Sequence, residues 1–343
     1  MAFQLSPLTH RRWHNFKANR RGYWSLWIIG SLIFLSLFAE IIANDAPLLL
    51  RYEGEFYYPA FVVYPESTFG GTFGTEAEYR EPEVQRLLTD GGGWMVWPII
   101  PFRYDTIDLY TQTAVPSSPS AQHWLGTDDI GRDVAARLIY GFRLSILFGI
   151  ALTLMSSVVG VLVGAVQGYF GGLVDLLGQR VVEIWSGLPV LFLLIIVSSL
   201  LQPGPGTLLL LLFAFSWTAL VPVVRAEFLR TRNFDYIRAA RALGQSHHLI
   251  IARHVLPNAM VATLTYLPFV LNGSIITLTT LDFLGFGLPL GSPSLGELLS
   301  QGKANIQSPW LGLSAFGTLS VMLTLLIFVG EGVRDAFDPR RAE

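Results

Sequence analysis

The chain has 343 residues, of which 52% are hydrophobic and 14% charged, with a net charge of −2 and no cysteine. Soluble domains average about 25% charged residues, so one large soluble core is excluded, and the near-neutral balance gives no reason to expect nucleic acid as a partner. The absence of cysteine fits a chain with a large part in an oxidising compartment.

Six apolar runs approach the roughly 20 residues that a bilayer requires. They cover residues 23–42, 144–167, 181–201, 207–224, 259–281 and 311–329. The first follows a basic start (Arg11, Arg12, Lys17, Arg20, Arg21) and carries Trp24 and Trp27 where interfacial anchors belong. Its length and the lack of a small-x-small site favour an uncleaved anchor over a signal peptide. With the N-terminus in the cytoplasm and six alternating spans, the inside segments hold 15 of the 23 Lys and Arg but only 8 of the 25 Asp and Glu. The expected fold class is therefore an all-α polytopic membrane protein with both termini inside. Residues 1–22 form a basic tail, 23–42 the first span, 43–143 a long outside segment, 144–335 the main membrane domain, and 336–343 a short inside tail.

The 43–143 segment is too long for a bare loop. Phe56, Tyr57, Tyr58, Phe61, Trp94, Trp97 and Tyr104 predict a small ordered cap, either a docking surface or a lid with its own aromatic core. In the second span Ser156, Gly160, Gly164 and Gly168 recur every four residues, a stripe that lets helix backbones approach closely. Close helix packing is favoured over a pore lining. The fifth span holds Pro268, Asn272, Gly273, Ser274, Thr277, Thr279 and Thr280. Either a water-filled path through Asn272, Ser274 and Thr279 or bonding to neighbouring helices explains this polarity, and the path is favoured. No charged residue lies near the middle of a span, which argues against a proton-coupled carrier or pump acting alone.

Catalytic motifs are missing. The two lysines, Lys17 and Lys303, lie outside any G-x-x-x-x-G-K-[ST], and no histidine begins H-E-x-x-H. No G-x-S-x-G is present either. Neither a cofactor nor a metal is expected on this chain, and His247 and His248 read as solvated loop residues. A membrane enzyme or scaffold is disfavoured on the same grounds, and a stand-alone secondary transporter or channel is the alternative function.

Between spans four and five, over the 225–258 loop and the first residues of span five, the polar stretch NFDYIRAARALGQSHHLIIARHVLPNAM (Asn233 to Met260) interrupts the apolar pattern. It predicts a short helix capped by Asp235 and ended by a left-handed Gly244. A second helix, capped by Ser246, should run from His247 to about Val255 and stop before Pro257. The first would expose Ala239, Ala240 and Ala242 beside Arg238 and Arg241. A partner groove closing on small side chains and an amphipathic helix lying on lipid are both compatible with that face, and the partner is favoured.

This stretch resembles the EAA loop of ABC-importer permeases, E-A-A-x-x-x-G-x(9)-I-x-L-P. Ala239, Ala240, Gly244, Leu256 and Pro257 are in register, while Arg238 replaces the Glu and His254 the Ile. The stretch HWLGTDDIGRDVAARLIYGFRLSILFG, with Asp128, Gly131, Arg132, Asp133 and Arg137, is similar to the signature before span two in the second permease of dipeptide, oligopeptide and nickel importers. LDFLGFGLP, after span five, is similar too. The chain ends and the long outside segment look like the subgroup that takes up microcin C and oligopeptides in Gram-negative bacteria.

The resemblance implies a type I importer permease fold in the bacterial inner membrane, coupled to a cytoplasmic ATPase through the loop around Gly244. It further implies a sister permease forming a heterodimer, ATP and magnesium bound by the ATPase and not by this chain, and a periplasmic substrate-binding protein docking on 43–143 and 282–310. The acidic and basic signature residues gate the outer mouth or hold a helix in place, and the structural role is favoured.

Overall fold

The computed structural model describes residues 7–109, 113–200 and 204–337. An amphipathic helix α1 (Pro7–Ala18) turns at Asn19 into α2 (Arg20–Leu37), followed by the short α3 (Ala39–Ile42). The first apolar run is thus helical, but broken at Phe38. A cap follows, built on β1 (Leu49–Tyr52), β2 (Glu55–Tyr57), α4 (Pro82–Asp90) and β3 (Trp94–Val96). The strands form an antiparallel sheet in the order β2-β1-β3, with Leu50 opposite Tyr57 and Met95. The chain is therefore not all-α. Its strands are only three or four residues long, below the length at which period-2 alternation stands out.

The cap does have an aromatic core. Phe69 is fully buried and meets Tyr52, Tyr57, Tyr64 and Tyr79 edge-on, over Leu50, Val84 and Leu88. Of the aromatics singled out from the sequence, Tyr57 and Trp97 pack on this core, whereas Phe56, Tyr58, Phe61 and Trp94 stay exposed. Burial raises the Tyr79 phenol well above its ordinary pKa.

The remaining chain is a helical bundle. It comprises α5 (Val134–Phe170), α6 (Gly172–Ser186), α7 (Val190–Leu200), α8 (Pro205–Ser216), α9 (Val221–Thr231), α10 (Asp235–Ala242), α11 (His247–Ile250), α12 (Leu256–Phe283), α13 (Leu295–Ala304) and α14 (Pro309–Phe337). Among the described residues four segments are long and apolar enough to cross a membrane: Val134–Phe170, Pro205–Thr231, His247–Phe283 and Pro309–Phe337. The pair Gly172–Ser186 and Val190–Val197, bent by 59°, makes a fifth if counted as one span. That break falls where the third run was expected to be continuous. Pro189 disfavours helical geometry at Leu188, and Gly187 caps the preceding helix. Leu201, the expected end of that run, lies outside the described residues.

The glycine stripe of α5 is a packing surface. A Cβ at Gly160 would lie 2.7 Å from the Trp217 carbonyl, one at Gly164 2.9 Å from the Val221 carbonyl, and one at Gly168 2.5 Å from the Phe228 Cβ. The stripe thus receives the backbone of α9 and the turn before it. Gly164→Leu is expected to force these helices apart at a cost of about 1–3 kcal/mol. A thermal-unfolding comparison of detergent-purified protein checks this; an unchanged midpoint would contradict it.

Candidate functional site

The segment between α9 and α12 is a helical corner fixed at both ends. Helix α10 begins after Phe234, whose extended backbone (φ −69°, ψ 148°) makes it the N-cap; Asp235 is the first helical residue and not the cap. The Phe234 carbonyl accepts from the amides of Ile237 and Arg238, which places Arg238 in the fourth helical position. A capping box between residues 235 and 238 is therefore not formed, and Glu in place of Arg238 would not complete one.

At the other end Leu243 is the C-cap and Gly244 adopts φ +77°, the left-handed conformation expected from the sequence. The Gly244 amide donates to the Arg241 carbonyl at 2.9 Å and the Gln245 amide to the Ala240 carbonyl at 3.2 Å. These two bonds are the Schellman pattern, which satisfies carbonyls that a helix end otherwise leaves unpaired.

The second helix does not stop before Pro257. It runs from His247 through a π turn (Ile251–Val255) directly into α12, with Leu256 and Pro257 opening the latter. Pro257 lacks an amide and its ring crowds the carbonyl four residues earlier. The wider π turn lies at that place and lets the helix continue. Ser246 occupies the N-cap position without a side-chain bond.

Helix α10 has two faces. Ile237 and Ala240 are buried against Tyr169, Phe228, Ile250 and Val255. Ala240 thus points inward, contrary to the sequence expectation, while Ala239, Ala242, Arg238 and Arg241 are exposed. The most prominent residue is one that sequence reasoning passed over: Leu243 is 80% exposed. Its position just before the helix-ending glycine is the signal that was available. Polar contacts stiffen the corner. Tyr169 hydroxyl lies 2.9 Å from His247 Nδ1, His254 Nε2 lies 3.2 Å from Gln245 Oε1, and Asn258 Nδ2 donates to the Tyr236 hydroxyl at 3.0 Å. His247 is therefore an anchored helix residue and not a free loop histidine. Arg225 of α9 grips Asp175 of α6 through both carboxylate oxygens.

At the opposite end of α5 lies a buried ion network. Asp133 is the N-cap of α5, accepting from the Ala136 amide at 2.7 Å. Asp128 accepts from Arg132 Nε at 2.6 Å and lies 3.3 Å from Arg137 Nη1. Glu297 of α13 joins Arg132 at 3.0 Å and Arg137 at 3.1 Å. Arg137 also donates to the Ser292 carbonyl at 3.1 Å. Gly131 supplies the left-handed turn (φ +93°) that closes the loop. These contacts tie the 123–137 signature to the start of α13 and the loop before it.

Glu297 was not singled out from sequence, although Ser294-Leu295-Gly296-Glu297 is a capping-box pattern. Ser294 Oγ does accept from the amides of Gly296 and Glu297, but the Glu297 carboxylate turns to the two arginines. The same loop is pinned by Asp282, which accepts from the Leu288 amide at 2.8 Å and from the Ser294 hydroxyl.

His123 sits between two carboxylates, Asp133 at 2.8 Å and Asp108 at 3.1 Å, with the Phe102 ring centred 4.3 Å away and tilted by 36°. Burial opposes its charge, but the two carboxylates outweigh that and raise its pKa above the ordinary 6.5. The charged His123 thus stabilises the folded cap fully below about pH 6.5, and that stabilisation is lost as pH rises through the raised value. Thermal unfolding from pH 6 to pH 9 should show a falling midpoint that His123→Gln flattens; equal slopes in both proteins would contradict this role. Partial desolvation of its carboxyl, and next the nearby Asp128, likewise raise the pKa of Asp129, although the residue reaches solvent.

The polar residues of α12 do not line an open face of this chain. Asn272 is buried and donates to the Leu323 carbonyl of α14 at 3.3 Å; Ser274 is buried 3.3 Å from Thr153 of α5; Thr279 is buried and donates to the Ile275 carbonyl. They bond to neighbouring helices or to their own, the alternative to a path. The face left exposed carries Tyr266, Gly273, Thr277, Thr280 and Leu284. Among the described residues no cluster of His, Cys, Asp and Glu could hold a metal ion.

Residues 156–343 match the family described as binding-protein-dependent transport system inner membrane component. The chain belongs to this family of ABC-importer permeases. Residues 6–57 also match the N-terminal membrane domain of oligopeptide transport permease C. The permease is 60% identical to the inner membrane ABC transporter permease protein YejE of Escherichia coli K12, over 99% of both chains. It is 56% identical to the peptidoglycan transport system permease protein YejE of Agrobacterium fabrum, over 98% of this chain and 94% of that one. The dipeptide transport system permease protein DppC of Bacillus subtilis is 34% identical over 65% of this chain and 70% of that one. A permease of this family is a membrane transport subunit and not an enzyme.

Proposed function

We propose that this permease is one half of the translocation path of an ATP-driven importer for oligopeptides and peptide-like compounds such as microcin C. The observation that carries the coupling role is α10. A short helix, closed by a Schellman corner at Gly244 and anchored to both α9 and α12, offers Leu243, Ala239 and Ala242 to a partner. Small side chains let a groove close onto the helix, and the stiff corner passes a displacement to two membrane helices at once. The partner is a cytoplasmic ATPase that binds ATP and magnesium; a sister permease completes a heterodimer.

Six spans, with both termini in the cytoplasm of a bacterial inner membrane, put α10 on the ATPase side. They put residues 43–133 and the 282–310 loop on the periplasmic side, where a substrate-binding protein docks. The broken first span, α2 with α3, supplies the sixth crossing. The match of residues 6–57 to the oligopeptide permease C domain and the likeness to the dipeptide permease DppC support the peptide class of substrate. Selectivity resides mostly in the binding protein, in keeping with neutral side chains along the exposed face of α12.

Deleting the chain in its host should abolish uptake of a labelled tetrapeptide and confer microcin C resistance, both restored by the wild-type gene. Unchanged uptake and sensitivity would sink the substrate assignment. Arg238→Glu should leave uptake within about twofold of wild type. The side chain is exposed and lies at the fourth of eight helical positions, where the helix dipole favours neither charge. A large loss would point to a specific ion pair with the ATPase.

A further inference from the structure

We propose that α1, the start of α2 and the end of α14 form a binding site for one anionic phospholipid. The proposal rests only on the chain's place in a membrane and not on the coupling role of α10. A cavity of about 310 Å³ lies between these three helices, lined by Phe16, Leu26, Val329, Val333 and Phe337 with Arg12 beside them. Its lining is almost wholly apolar. On α1 the residues Thr9, Arg12, Trp13 and Phe16 recur at helical spacing, so one face of that helix forms the wall.

The frame around the cavity is rigid. Gly22 meets the Gly332 backbone so closely that a Cβ there would lie 2.9 Å from the Gly332 Cα. Asn19 accepts from the Gly22 amide at 3.0 Å and donates to Asp335 at 2.8 Å, fixing the turn between α1 and α2 to α14. These contacts hold the start of α2 and the α1–α2 turn against α14 beside the cavity.

Charge selects the ligand. Residues 1–39 contain five Lys and Arg and no acidic residue. The Arg12 guanidinium lies 4.4 Å from the centre of the Phe337 ring, and Lys17 Nζ lies 5.3 Å from that of Trp13. Arg11, Arg20 and Arg21 are exposed nearby. The acidic groups on the facing helix are Glu331 and Asp335, the latter bonded to Asn19. An apolar slot with cations at its edge matches an acyl chain beneath a phosphate headgroup. Trp24 and Trp27, 62% and 55% exposed, mark the depth at which headgroups lie.

The test is native mass spectrometry of the purified importer complex, delipidated and titrated with phosphatidylglycerol or phosphatidylcholine. Wild type should retain one phosphatidylglycerol with at least about fivefold preference over phosphatidylcholine, the scale set by one surface cation. Arg12→Gln with Lys17→Gln should bring the preference near unity while phosphatidylcholine binding is kept. Val333→Trp, which fills the cavity, should reduce retention of both lipids. Displacement of the lipid by inorganic phosphate, no preference in wild type, or an unchanged preference in the double variant would each overturn the proposal. Loss of the ATPase from the double variant with lipid preference intact would also overturn it, since the cations would then serve a protein contact.

Discussion

Replacing Gly244 should uncouple ATP hydrolysis from transport, in the order Asn mildest, Ala intermediate and Val severe. Gly244 holds φ +77° with open space around the position where a Cβ would be. The penalty is therefore backbone strain alone, about 1–3 kcal/mol for a residue that disfavours the left-handed region. Asn tolerates that region better than other side chains. A β-branched Val would break the corner and release the two bonds from Gly244 and Gln245 that close α10. In proteoliposomes with the binding protein, Gly244→Val should lose about tenfold or more of substrate-stimulated hydrolysis, since 1.4 kcal/mol corresponds to tenfold in an equilibrium. Membrane insertion should be normal, because nothing packs on the site. If Val and Asn behave alike, the corner's geometry is not what transmits the motion.

Arg137→Met should cost about 3–5 kcal/mol of stability, the range for removing one partner of a buried ion pair. Arg137 is among the fully buried side chains and is shared by Asp128 and Glu297. Without it Arg132 is the one guanidinium left to the two carboxylates, beside their bonds from the Ile130 and Arg132 amides and from Gln301. Loss of assembled protein, read by fluorescence size exclusion and thermal unfolding, is the expected outcome. Asp129→Asn, at an exposed neighbour, should change the midpoint by less than about 0.5 kcal/mol equivalent, as for most surface changes. Normal stability of the Arg137 variant with abolished transport would instead make the network a gate.

What the sequence made legible follows from how local each signal is. Gly244 and the glycine stripe of α5 were readable because a left-handed helix end and close helix approach are properties of one segment. Asp235 was misplaced as the cap because an acidic residue at the first helical position has the same sequence signature as one at the N-cap. Ala240 was assigned to the wrong face because α10 spans barely two turns, and its buried side is set by Tyr169 and Phe228 from distant helices. Pro257 was read as a stop because the π turn that accommodates it leaves no pattern in the residues. The links from Glu297 to Arg132 and Arg137 bridge more than 150 residues, beyond any spacing rule. The sheet of the cap stayed hidden for a different reason, since strands of three or four residues carry too few alternations to read.

The proposed role of α10 is to carry ATP-driven motion to the membrane helices. The most direct measurement is purification of the tagged chain from its native host in mild detergent, as wild type and as Leu243→Asp, with bound subunits and hydrolysis read together. Wild type should bring down an ATPase and a sister permease, with hydrolysis stimulated by binding protein, and Leu243→Asp should lose the ATPase while keeping the sister permease. A wild-type chain that purifies alone and without hydrolysis, or an ATPase bound equally by the variant, would contradict the account.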